Sequence, residues 1–187
     1  KYPTDVECSV GAIYTKMWSP DYYPEGCPPS SSVSLHFDAT EKNNSPIQMT
    51  WSDGGIRPFH PDLLPADVSI EANGIIMIGE KGVITCDAYG DDPKLYRKGE
   101  PVIRGEKVKI SEPEFGHQRK WVDACKTGFD SAEHKSLTSS FDYSGPLTET
   151  VLMGNIAIRS YMLTESEGKR NTNYIGRKKL LWDGDGM

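Results

Sequence analysis

Apolar residues recur with period two through the first half of this chain and take up a helical period only after residue 114. That order restricts the fold, because strand-forming and helix-forming segments are segregated along the sequence rather than alternating. Residues 4–14 (TDVECSVGAIY) place Val6, Cys8, Val10 and Ala12 on one side, as a strand with one buried face does. Residues 15–30 hold four prolines and three aromatic residues and read as a long loop. Residues 31–40 bring Val33, Leu35 and Phe37 into phase, and IQMTWSD brings Ile47, Met49 and Trp51 into phase. These two runs predict an antiparallel hairpin over a loop of about six residues. Residues 74–89 carry two apolar runs around GEKG, a second hairpin signal, and DDPKLYRK offers a further short strand. Residues 99–113 are polar and without pattern.

The period then changes. Residues 114–128 set Trp121 and Cys125 one turn apart, beside Val122 and Ala124, and Gly128 stands where a helix stops. Residues 131–145 read as a connector. Residues 146–163 are the strongest helical stretch. Pro146 suits the first helical position, Glu149 the first turn, and Leu147, Val151, Leu152 and Ile156 form an apolar stripe. ESEGKRNTN (165–173) reads as a solvated insertion, and KKLLWDGDGM closes with a short strand and a turn. The expected architecture is α+β: an open, mainly antiparallel β-sheet with helices packed on one face, as a single domain over residues 1–187.

The chain has 187 residues and a net charge of −6 with no basic block, which disfavours nucleic acid as a partner. No apolar run reaches the roughly 18 residues that suggest a membrane span. The sequence opens on Lys1 and enters a strand pattern at once, so it reads as a piece of a larger protein or as a mature product. Cys8, Cys27, Cys86 and Cys125 are widely spaced with no C-x-x-C pair, which argues against structural zinc. Cys8, Cys86 and Cys125 read as small buried hydrophobes, whereas Cys27 lies in the proline-rich loop.

Candidate chemistry is sparse. His36, His60, His117 and His134 show no metal-ligand spacing, and no G-x-S-x-G nucleophile signature occurs. His117, at the head of the first helix, is placed to reach into a cleft or to pack locally. The stretch MTWSDGG (49–55) brings Trp51 and Asp53 to the mouth of a long loop, 56–74, with Arg57 just beyond. An aromatic platform beside polar groups suits a sugar pocket. The competing reading makes Trp51 sheet core and Asp53 a turn cap, and the strand phase of Trp51 with Ile47 and Met49 favours burial.

YPTDVEC, MTWSDGG with RP after it, NGIIMIGEKGVITCDAYG, GHQRKWVDACKTG, FDYSGPLTETVLMGNIAIR and KKLLWDGDGM occur in this order. Together they resemble the C-terminal domain of the Gfo/Idh/MocA family (glucose–fructose oxidoreductase, inositol dehydrogenase and rhizopine-catabolism proteins), in its often exported bacterial branch. The resemblance implies a substrate-binding and assembly domain whose parent carries an N-terminal Rossmann domain for NAD or NADP. The substrate would be a sugar, a polyol or a derivative, and copies would associate through the exposed sheet face. The family's G-x-G-x-x-G and Glu-Lys-Pro motifs are absent here, and its Asp-x-x-x-His motif would fall before the YPTDVEC segment, ahead of Lys1, so no catalytic and no cofactor-binding residue is carried over. The substrate-contacting candidates are Asp53, Arg57, His117 and Trp51. A periplasmic and a cytoplasmic location both stay open. A non-enzymatic carbohydrate-binding or assembly module is the alternative, and a two-carboxylate glycosidase a more distant one.

Overall fold

The computed structural model describes residues 2–22, 25–106, 113–165 and 173–184. Its strands are β1 (Asp5–Val10), β2 (Ile13–Lys16), β3 (Ser19–Asp21), β4 (Ser31–Phe37), β5 (Ile47–Ser52), β6 (Ile75–Gly79), β7 (Gly82–Cys86), β8 (Lys94–Tyr96), β9 (Ile103–Arg104) and β10 (Leu180–Leu181). Its helices are α1 (Gly116–Thr127), α2 (Ala132–Lys135) and α3 (Phe141–Ser160), with a 3-10 turn at Ile175–Arg177. All strand pairs are antiparallel, and the fold is α+β. The chain divides into two compact units, residues 1–56 with 118–187, and residues 57–117.

The first unit is built on a sheet of order β10-β1-β4-β5. Cross-strand pairing sets Val6 beside Leu35, Cys8 beside Val33, Val33 beside Trp51, Leu35 beside Met49 and Phe37 beside Ile47. Opposed residues share a face, so the period-two pattern gathers these apolar side chains on one side. Asp5, Glu7, Ser9, Ser32, Ser34, His36, Gln48, Thr50 and Ser52 alternate to the other side, where Ser34 and Thr50 hydroxyls meet at 3.2 Å. Helix α3 lies on the apolar side, and Met153 and Ala157 join Val6, Val33 and Leu35 in one buried cluster. Gly154 lies at the same contact, where an added Cβ would stand at an ordinary 3.4 Å from a Val33 methyl.

Two expectations about α3 are corrected. The helix begins at Phe141, not at Pro146, which lies inside it. Its first turn is held by the Tyr143 and Ser144 N–H groups donating to the Ser140 carbonyl. Pro146 therefore costs only the bond to the Asp142 carbonyl, one residue set against the contacts of a twenty-residue helix. The apolar stripe Leu147, Val151, Leu152 and Ile156 is not the buried face: these residues are 48–62% exposed. At 100° per residue, Leu147 and Val151 fall on one flank of the Met153–Ala157 line and Leu152 and Ile156 on the other. Met153 and Ala157 form the line that meets the sheet, and the larger side chains of the expected stripe stand off to either side.

In α1 the buried side chain is Ala124, whereas Trp121 is 48% exposed, and Cys125, expected to be buried, is exposed, which corrects that expectation. Gly128 does end that helix, with φ +93 and its N–H on the Ala124 carbonyl. The segment expected to be a loop after residue 15 contains part of the β2–β3 ribbon, and the connector 131–145 contains α2. The β4–β5 connection spans 38–46, longer than expected, and Thr40 and Asn43 bridge across it. Much of the expected solvated insertion at 165–173 lies outside the described residues.

The second unit is a sheet of order β6-β7-β8-β9. Gly79 pairs with Gly82 to close the β6–β7 hairpin. A Cβ on Gly82 would come within 2.5 Å of the Tyr96 carbonyl, so β8 lies against a position that only glycine fits. Leu64, from the long loop, is buried with Val83 and Tyr96, and Leu63, Val68, Ile70 and Ile76 pack around them. The proline-rich stretch after MTWSDGG is thus the cover of this unit's core. Arg57 donates to the Ile70 carbonyl, and His60 Nε2 donates to the Val68 carbonyl at 2.9 Å, which closes the loop on itself.

Candidate functional site

Asp53 follows directly on β5, and its carboxylate reaches back across the sheet. It accepts from the Ser31 N–H at 2.5 Å, from the Ser31 hydroxyl at 2.9 and 3.0 Å, and from Trp51 Nε1 at 3.3 Å. The Asp53 N–H donates in return to the Ser31 carbonyl at 3.0 Å. Ser31 is 1% exposed, so its polar groups need these partners. Asp53 therefore ties the end of β5 to the start of β4 and orients the Trp51 indole.

Trp51 itself is 66% exposed. Its strand phase is as expected, on the side of Val33 and Met49, but the burial inferred from that phase is corrected. Helix α3 covers β1 and β4, while β5 is the edge of the sheet and its apolar row, Ile47, Met49 and Trp51, stands uncovered. The result is a largely exposed indole held by its N–H, an apolar surface on which the C–H face of a ring can settle.

The other two candidates, Arg57 from the loop mouth and His117 from the helix head, belong to the second unit. Arg57 is committed to the Ile70 carbonyl, and His117 is an exposed residue in the first turn of α1. In the first unit, Trp51 and Asp53 are the expected site residues that the fold holds together.

A second constellation was not legible in the sequence. Glu149 of α3 accepts from Trp182 Nε1 at 3.2 Å, just after β10. A surface groove of about 520 Å³ opens there, with Phe141, Thr148 and Leu152 among its walls. The signal available was one acidic residue in the apolar stretch 146–163 and a tryptophan next to a strand. Nothing local joins residues 33 positions apart.

Elsewhere in the first unit, His36 Nδ1 and Asp5 share a hydrogen bond across the β1–β4 pair, with Lys179 Nζ 3.5 Å from the same carboxylate. Arg177 lies 3.6 Å from the Tyr174 ring centroid and 4.8 Å from that of Tyr161, at the end of α3. The Phe129 and His134 rings meet at a tilt of 43° with centroids 4.7 Å apart, and His134 is half-buried. Burial pushes the Cys8 thiol up to about 11. Among the described residues no group of three His, Cys, Asp or Glu side chains could hold a metal, and no helix is long and apolar enough to cross a membrane.

No known protein-family model matches the chain, and no curated protein matches it either.

Proposed function

We propose that this chain is the substrate-binding and assembly domain of an NAD(P)-dependent oxidoreductase that acts on a sugar, a polyol or a derivative, in the manner the Gfo/Idh/MocA resemblance implies. The observation that carries the reading is the exposed Trp51 indole, anchored through Asp53 to the buried Ser31. Such a ring offers an apolar platform whose orientation is already set before a ligand arrives. Two further features support it. The fold is an antiparallel sheet with a helix on one face, and the Leu147 and Val151 flank of α3 displays apolar surface that the domain itself does not cover, which suits a second domain packed upon it.

In this reading NAD or NADP sits on the parent's own Rossmann domain and supplies the hydride acceptor or donor. This chain contributes no dinucleotide loop and is assigned no catalytic residue. Its part is to bind and orient the substrate, with Trp51 as the platform and Asp53 holding it. Association of copies through the sheet face is part of the same proposal. A cofactor-free carbohydrate-binding module is the second reading, favoured by a platform that needs no nicotinamide.

The chain titrated with monosaccharides and cyclitols should show tryptophan fluorescence changes that Trp51→Ala diminishes, and no specific response to NADH. Micromolar NADH affinity for this chain would sink the domain assignment. The parent should turn over the same compounds only with NAD or NADP. Sugar binding with no nicotinamide-dependent turnover in the parent would select the binding-module reading instead.

A further inference from the structure

The groove between α3 and Trp182 is a site that the Trp51 reading does not use. It lies wholly in the first unit and is formed by Phe141, Ser144, Thr148, Glu149, Leu152 and Trp182, with a volume of about 520 Å³. That volume is within the range of about 300–1,000 Å³ typical of small-molecule clefts. Its chemistry is selective. Glu149 is the one formal charge among the lining residues, and no cation faces it there, so the groove repels phosphorylated and carboxylated ligands. The walls are apolar and aromatic, which demands a ligand with an apolar face. Trp182 Nε1 occupies Glu149 Oε1 at 3.2 Å and fixes both side chains, while the second carboxylate oxygen has no partner among the described residues. The Ser144 and Thr148 hydroxyls, one helical turn apart on α3, add groups that can donate or accept.

We infer that this groove is a second carbohydrate subsite, which takes a neutral hydroxylated ring with its C–H face on the aromatic wall and a hydroxyl donating to the free Glu149 oxygen. The inference rests on the sugar or polyol substrate class proposed above, but not on the nicotinamide chemistry. The groove is open to solvent, so affinity for a monosaccharide is on the order of 1 mM.

The test is amide and indole chemical-shift mapping of the 187-residue chain with methyl α-D-glucoside and with myo-inositol, using glucose 6-phosphate as the anionic control. At least one neutral probe should shift the amides of Ser144, Thr148 and Glu149 together with the Trp182 indole N–H, and glucose 6-phosphate should do so at least 5-fold more weakly. Glu149→Gln should weaken binding at these signals about 5-fold or more, and Trp182→Phe should do the same by releasing the carboxylate, while Trp51→Ala leaves them unchanged. Retained far-UV circular dichroism establishes that the variants fold, and mapping on the unmodified chain needs no variant. Shifts confined to Trp51, equal binding of the phosphate, or no α3 shift at tens of millimolar with both neutral probes overturns the subsite. The oxidoreductase reading fails separately, by absent NAD(P)-dependent turnover in the parent.

Discussion

Asp53 and Ser31, 22 positions apart, exchange three hydrogen bonds: the Asp53 carboxylate takes the Ser31 N–H and hydroxyl, and the Asp53 N–H donates to the Ser31 carbonyl. This is the junction where the first sheet ends and the chain leaves it. Because Ser31 is buried, deleting the carboxylate strands its donors. Asp53→Ala should therefore destabilise the chain by about 1–3 kcal/mol in urea unfolding, with Asp53→Asn intermediate. Trp51→Phe, which removes a single donor to the same carboxylate, should cost clearly less. A loss under about 0.5 kcal/mol for Asp53→Ala would show that the junction holds nothing.

Met153 and Leu152 are adjacent on α3, yet one is 1% exposed and the other 48%. Met153→Ala empties core volume and should cost about 2–5 kcal/mol, whereas Leu152→Ala should cost about 1 kcal/mol or less. Equal losses would mean that the helix is turned differently on the sheet.

The Asp53–Ser31 pair also fixes the hydrogen-bond phase of β5. Direct pairs alternate along an antiparallel ladder, so Ile47, Met49 and Trp51 bond to β4 while the N–H groups of Gln48, Thr50 and Ser52 point away from it. Among the described residues β5 pairs with β4 alone. Hydrogen exchange should be slow at residues 47, 49 and 51 and fast at 48, 50 and 52 in the isolated chain. Slow exchange at all six would reveal a covering strand.

Cys8 gives a pH signature. Burial disfavours its thiolate and raises the pKa from 9.0 to about 11. The folded state then holds a proton that the unfolded state releases earlier. The stability from this group is fully present below about pH 9 and is lost as pH rises towards about 11. At pH 8, iodoacetamide should modify the exposed Cys27 and Cys125 well before Cys8. Cys8→Ala should flatten the alkaline decline in stability, and an unchanged decline would place its cause in another group.

Much of the fold was legible because its signals are local. The β4–β5 and β6–β7 hairpins follow from period-two runs around turn residues, and the end of α1 follows from Gly128. The early start of α3 was missed because Pro146 looked like a first-turn residue, and helix propensity cannot show that a preceding turn has found its carbonyl partner. Of the candidate site, Trp51 and Asp53 were visible as residues, but their roles were reversed: the tryptophan is the open group and the aspartate is engaged by the fold. The Glu149–Trp182 contact had no local signal at all.

The amino-acid order by itself determined that this chain forms antiparallel strands first and helices late, because alternation and helical period are properties of neighbours along the backbone. Only the tertiary structure decided which apolar residues are buried. Met153 and Ala157 of α3 pack on β1 and β4 while β5 and both flanks of the helix stay uncovered, and burial depends on what arrives from distant sequence.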